Sequence, residues 1–135
     1  FSVLQNKTTV RIRVEGIDAP EKGMPYYKVS KQYLAQLCFN QYVILKVVKI
    51  DRYGRTVARP ILPNGKDISA EMIKAGLAWH YKHYSSDKTL AKLEIQARKH
   101  KIGLWKDKNP VAPWDIRKLR RKGFSTKQLF YNRVE

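Results

Sequence analysis

Cysteine is almost missing from this chain. Cys38 stands alone among 135 residues, which excludes an intrachain disulfide and any cysteine-based zinc site. It follows Leu34, Ala35 and Leu37 on a helical pattern, a position that suits a small buried hydrophobe. Histidine is nearly as scarce, and His80, His83 and His100 have no acid or third ligand at zinc spacing, so a zinc centre is not expected. No apolar run approaches the roughly 20 residues that a membrane-spanning helix needs. Residues 1–9 are too short and polar to read as a secretory signal. The chain also opens inside an apparent strand, Phe1-Ser2-Val3-Leu4, without a start methionine, so a fragment with its upstream part removed or unseen is expected. Internal repeats and a second domain are not apparent.

Acidic residues are the other shortage. Only 11 Asp and Glu face 28 Lys and Arg, leaving a net charge of +17. That imbalance favours a polyanionic partner, of which nucleic acid is the commonest. A basic protein kept soluble by its charge, or one drawn to anionic membranes, is the plainer alternative, although no basic amphipathic helix stands out. Hydrophobic residues make up 43% of the chain, enough for a packed core in one domain.

Strands are expected over residues 1–4, 8–14, 43–50, 55–62 and 77–81. The first two are joined by the polar turn Gln5-Asn6-Lys7. The β-branched run 43–50 meets its partner through Asp51-Arg52-Tyr53-Gly54, where Gly54 supplies a positive φ and Asp51 accepts backbone hydrogen bonds. Helices are expected over residues 26–38, 68–75 and from Ser86 or Asp87 to about His100. Val29, Tyr33, Leu34 and Leu37 form the inner stripe of the first, and Asp67 caps the second. In the third, Glu94 lies beside the inner stripe, where a structural ion pair is its expected role. Trp105 is expected to pack on the core. From Asp107 the composition changes. Pro110 and Pro113 interrupt regular structure, and Arg117, Lys118, Arg120, Arg121 and Lys122 form a charge run of the kind usually found on a solvated helix face or tail. It could also add sequence-blind, salt-sensitive affinity for a nucleic-acid backbone. The expected organisation is a domain over residues 1–106 and a basic extension over 107–135, packed on the domain or trailing it.

One stretch concentrates chemistry. Residues 10–14 alternate Val10, Ile12 and Val14 with Arg11 and Arg13, the pattern of a half-buried strand with a cationic face. Gly16 permits a bend, and Pro20 ends regular pairing. The strand therefore delivers Arg13, Asp18 and Glu21 into a small region at its exit. A carboxylate can hold a hard cation, a second can orient or deprotonate water, and an arginine can fork onto phosphate oxygens. These are the parts that phosphodiester hydrolysis needs. For an isolated Asp-x-x-Glu, a surface ion pair beside a turn is the ordinary reading.

Ile17-Asp18-Ala19-Pro20-Glu21, Asp51-Arg52-Tyr53-Gly54-Arg55, Ala75-Gly76-Leu77-Ala78 and Gly103-Leu104-Trp105 together resemble the staphylococcal nuclease (thermonuclease) family, over roughly residues 1–105. Ala112-Pro113-Trp114 also looks like an ending common in its bacterial branch. The resemblance implies an α+β, mainly β fold: a five-stranded OB-fold barrel with three helices. It implies a Ca²⁺-dependent endonuclease that cleaves DNA and RNA with little sequence preference, leaving 3′-phosphate and 5′-hydroxyl ends. By the same resemblance, Asp18 and the backbone carbonyl of Ala19 bind metal. Glu21 matches the proposed general base, and Arg13 and Arg55 match the two phosphate-binding arginines. Arg52 and Tyr53 fall where the family contacts a terminal phosphate. Tyr81 and Tyr84, with Trp79 and His83 nearby, fall where it stacks a tyrosine on a base. A further metal-binding aspartate of the family would lie just upstream of Phe1, and without it calcium binding by this chain is expected to be weak. Relatives are often secreted, so an extracellular or cell-envelope location is the corresponding expectation. Two alternatives stay open: a noncatalytic nucleic-acid-binding module of the same fold, and a basic OB-fold protein with a structural role.

Overall fold

The computed structural model describes residues 1–130, so the last five residues of the basic extension, 131–135, lie outside the described residues. Two antiparallel hairpins form the main sheet. Strand β1 (Ser2–Gln5) pairs with β2 (Thr8–Val14), setting Val3 opposite Val10. The connecting Asn6 and Lys7 both adopt positive φ, as a tight two-residue hairpin requires. Strand β4 (Ile44–Ile50) pairs with β5 (Thr56–Ile61), and the ladder slips between Val47 and Lys49. The Asp51 carboxylate fastens their turn by accepting from the amides of Tyr53 and Arg55, both at 2.9 Å. Parallel pairing of β2 with β5 joins the two hairpins into the order β1-β2-β5-β4.

The fold is mixed α+β with open sheets, and a closed five-stranded barrel is not shown among the described residues. The short β3 (Ile17–Asp18) pairs with β6 (Trp79–His80) as a separate two-stranded sheet, so the last strand does not join the large one. Strands β1 and β4 are consequently the two edges of the large sheet. A groove of about 750 Å³, lined in part by Val3, Val10, Cys38, Tyr42, Val47 and Ile50, runs between them.

Helices complete the core. In α1 (Tyr27–Cys38), Tyr33, Leu34 and Leu37 pack on the core, but Val29 is 50% exposed. The buried position of that first turn is Ser30 instead, whose hydroxyl donates to the Leu77 carbonyl at 2.8 Å. A polar group can be buried there because its hydrogen bond is made. Helix α2 (Ile68–Lys74) is capped by Asp67 and α3 (Lys88–Lys99) by Asp87. Ile17, Ile68, Met72, Ile73, Leu77 and Leu90 form the main core. Trp79, Trp105 and Ala112 centre a second apolar cluster, with Trp105 buried as expected.

The basic extension is more ordered than its composition suggests. Pro113 does not interrupt structure but opens α4 (Pro113–Arg121), occupying the first helical turn where no amide partner is needed. Pro113 and Ile116 are fully buried, which anchors the helix on the domain. A further short helix, α5 (Thr126–Phe130), follows. Arg120 ties the two together through the Thr126 hydroxyl and reaches the Lys22 carbonyl at 2.6 Å. The three helices expected over residues 1–106 are α1, α2 and α3, and α4 and α5 lie in the extension.

Candidate active site at the exit of the second strand

Pairing of Asp18 with Trp79 fixes where the chain leaves β3. The side chain of Asp18 is only 7% exposed. Three residues on, Glu21 is held by a turn in which the Met24 amide donates to the Glu21 carbonyl at 2.9 Å. Arg13, one strand back, lies opposite Val57 of β5. Arg55 opens the returning arm of the β4–β5 hairpin and donates through Nε to Asp51 at 2.9 Å. Desolvation pushes the Asp51 carboxyl up, but hydrogen bonds from the Arg55 and Tyr53 amides and from the Arg55 guanidinium together outweigh it and hold the group below its ordinary value. Asp51 thereby aims Arg55 as well as bracing the turn.

These separate segments meet. Arg13, Asp18, Ala19 and Arg55 line one cavity of about 300 Å³, together with Tyr27 and Lys31. Arg52 and Tyr53 sit at the exposed hairpin tip instead, the Arg52 guanidinium 5.0 Å from the Tyr53 ring centre. Tyr81 stands beside the cavity. Its ring stacks on Trp114 at 5.4 Å between centres, and the Arg13 guanidinium lies 5.2 Å from it. That ring is already engaged in the site's own packing. Tyr84, edge-on to Tyr81 and 71% exposed, is the more open aromatic surface.

The residue that sequence reasoning missed is Arg117. Its Nη1 donates to Asp18 Oδ1 at 3.0 Å and to Glu21 Oε1 at 2.9 Å. Its Nη2 donates to Asp18 Oδ2 at 2.6 Å and to the Tyr81 hydroxyl at 3.2 Å. A fork of this kind on a carboxylate is among the stronger polar contacts a protein makes. Burial alone would lower the Arg117 pKa, but hydrogen bonds and charge from Asp18 and Glu21 prevail and raise it. Burial pushes the Asp18 carboxyl up, with Glu21 adding to that and both Arg117 and Arg13 pulling it back. Trp114, one turn ahead of Arg117 on α4, was missed as well. Its available signal was a proline at the start of a helix, followed by an acid in the first turn and bases in the last.

Whether these residues suit a divalent cation can be judged from the guanidinium itself. Nη1 of Arg117 is a positive centre within 3.0 Å of two different carboxylates. A hard cation at that point would collect oxygen from both, with modest contraction to roughly 2.3–2.6 Å. The donor chemistry therefore fits calcium. Among the described residues no three His, Cys, Asp or Glu converge, so the other ligands would be peptide carbonyl and water oxygens.

Residues 11–107 match the family described as staphylococcal nuclease homologue. The chain belongs to that family. Staphylococcal-like nuclease CAN1 of Arabidopsis thaliana is 44% identical over 113 residues, covering 84% of this chain and 35% of CAN1. Micrococcal nuclease of Shigella flexneri is 39% identical over 128 residues, covering 87% of this chain and 74% of that protein. An Escherichia coli O157:H7 protein named uncharacterized endonuclease is 38% identical over 114 residues, covering 84% of this chain and 74% of its own length. Against the plant relatives the chain spans only about a third of their length, 33% for a Capnoides sempervirens protein and 35% for CAN1.

Proposed function

We propose that this domain is a Ca²⁺-dependent nuclease that hydrolyses DNA, RNA or both with little sequence preference, leaving 3′-phosphate and 5′-hydroxyl ends. The observation that carries the reading is the shared cavity of Arg13, Asp18 and Arg55, with Glu21 joined to Asp18 through the Arg117 guanidinium. In this reading Asp18 and the Ala19 carbonyl would hold the calcium ion, with Glu21 beside it. When bound, that ion would supply positive charge to offset the charge that grows on the phosphate. Glu21 accepts a proton from the attacking water. The water oxygen bonds to phosphorus as the bond to the 5′ oxygen breaks, and that oxygen leaves as a hydroxyl after taking a proton from solvent. Arg13 and Arg55 grip the phosphate oxygens where charge grows, which stabilises the transition state more than the ground state. An arginine so placed is worth on the order of 10³–10⁵ in rate. Tyr84 stacks on a neighbouring base, a sequence-tolerant contact. Arg52 and Tyr53 bind a flanking phosphate, and Tyr81 supports this region from beneath. An OB-type barrel and an extracellular or cell-envelope setting, where calcium is plentiful, belong to the same proposal.

Digestion of plasmid and single-stranded DNA tests it. Cleavage is expected with calcium, with loss in chelator and loss on Glu21→Gln. A second reading has one observation in its favour: the Arg117 fork neutralises both carboxylates, as a silent binding module would tolerate. Retention of DNA on a gel with no cleavage under any divalent metal would establish that reading instead.

A further inference from the structure

We propose that Arg117 is an internal rival of the divalent cation, so that its guanidinium must leave Asp18 and Glu21 before a cation can bind there. The inference rests on the calcium reading above and goes beyond it by naming what opposes metal loading. Both oxygens of Asp18 and one of Glu21 receive Arg117 N–H groups. A cation and a guanidinium cannot share these short contacts, because each is positive and the pocket is partly shielded from water. With Arg117 in place, its guanidinium offsets the two carboxylates it touches. With Arg117 withdrawn, Asp18 and Glu21 lose that partner beside a cavity that Arg13, Lys31 and Arg55 line, and a divalent ion can take the vacated contacts.

Helix α4 makes that exchange feasible. Its anchorage comes from Pro113 and Ile116, both buried, and from the Trp114 contacts, so the helix stays docked when the Arg117 side chain moves. The Arg117 side chain is 29% exposed and has a route to solvent. Lys118, its exposed neighbour, carries the same charge but belongs to a different surface, with His83, Tyr84 and Arg121. It is therefore the natural control.

Isothermal titration of the whole chain with calcium chloride tests the proposal. Arg117→Gln is expected to bind calcium at least about tenfold tighter than wild type, as expected for removing a competing charge from a partly buried site. Arg117→Lys, which keeps the charge but loses the fork, should fall between them and also guards against a folding defect in the first variant. Lys118→Gln should stay within about twofold of wild type, since exposed charges interact weakly through water. Equal or weaker calcium binding by Arg117→Gln overturns the proposal, as does an equal gain in Lys118→Gln. Digestion assays on the same proteins separate the two readings. Tighter binding by Arg117→Gln with no cleavage by any protein supports this proposal and removes the nuclease. Cleavage by wild type with no gain in Arg117→Gln does the reverse, and absence of calcium binding in every protein overturns both.

Discussion

Glu94 and His80 show how single buried groups are used away from the acidic pocket. Glu94 is 2% exposed, yet its oxygens accept from the His80 amide at 2.6 Å, from Lys82 Nζ at 3.1 Å and from Arg98 Nη2 at 3.1 Å. A buried carboxylate with several donors is tolerated, whereas one stripped of them is costly. The ion-pair role expected from its place beside the α3 stripe is the role it has. His80 is buried too, with Nε2 2.9 Å from the Ser85 hydroxyl. Burial pushes the imidazole below its ordinary value of 6.5, against the opposing pull of Glu94. The unfolded chain then binds a proton more readily than the folded one, so stability rises with pH across that interval. His80 contributes fully above about pH 6.5 and loses its contribution as pH falls through the lowered folded value. Thermal melts of wild type should therefore show a midpoint that drops as pH is lowered from 6.5, and His80→Gln should show a shallower drop over the same window. Parallel curves for the two proteins would refute the assignment.

At the scale of elements, the contact between the turn after α2 and the turn after α3 leaves no room for a side chain. The Gly76 carbonyl accepts from the Leu104 amide at 2.8 Å. Gly76 has φ +68°, and a Cβ built there would lie 2.1 Å from the Ile102 carbonyl oxygen, which is backbone and cannot step aside. Gly103 faces it with φ +57° and an equivalent Cβ 2.3 Å from the Gly76 oxygen. Gly76→Ala should lose on the order of 3 kcal/mol or more in urea denaturation, from strain and clash together. Gly65, at φ +86° with nothing within 4 Å, isolates the strain alone. Gly65→Ala should cost only about 1 kcal/mol. Similar losses at both positions would mean that the close approach is not what Gly76 serves. These glycines were legible as sequence motifs, and so were the β4–β5 hairpin with its Asp51 brace, the caps Asp67 and Asp87, and the meeting of Asp18 with Glu21. What escaped is set by long-range packing. Arg117 lies 99 residues from Asp18 and is one of five bases between 116 and 123, chemically no different from Lys118 or Arg121. Only the burial of Ile116 and Pro113 decides which of the five faces inward. Sheet assignment beyond the two hairpins was illegible for a related reason. Residues 77–81 satisfy a strand pattern, but Trp79 and His80 pair with β3 rather than with an edge of the larger sheet.

For the molecule as a whole, the net charge of +17 is unevenly spent, because Arg117 and Arg59 are already committed to internal carboxylates. Exposed Lys118, Arg121 and Lys122 on α4 and its end are not, among the described contacts, and Lys118 and Arg121 lie beside the aromatic group of Tyr81, His83, Tyr84 and Trp114. Basic and aromatic surface in one place is what a nucleic-acid backbone with accessible bases would meet. Binding through phosphates releases condensed counterions, so affinity should fall steeply and linearly on a logarithmic salt scale. Fluorescence anisotropy of a labelled duplex, titrated in chelator to prevent cleavage, measures that slope. Replacing Lys118, Arg121 and Lys122 together by Gln should flatten it by about 0.9 for each side chain that meets a duplex phosphate. Arg13→Ala should change the slope by about one phosphate contact at most, while abolishing cleavage in calcium. A triple variant with the wild-type slope would place the nucleic-acid path elsewhere on the surface and leave α4 with the Arg117 and Trp114 contacts as its connection to the site.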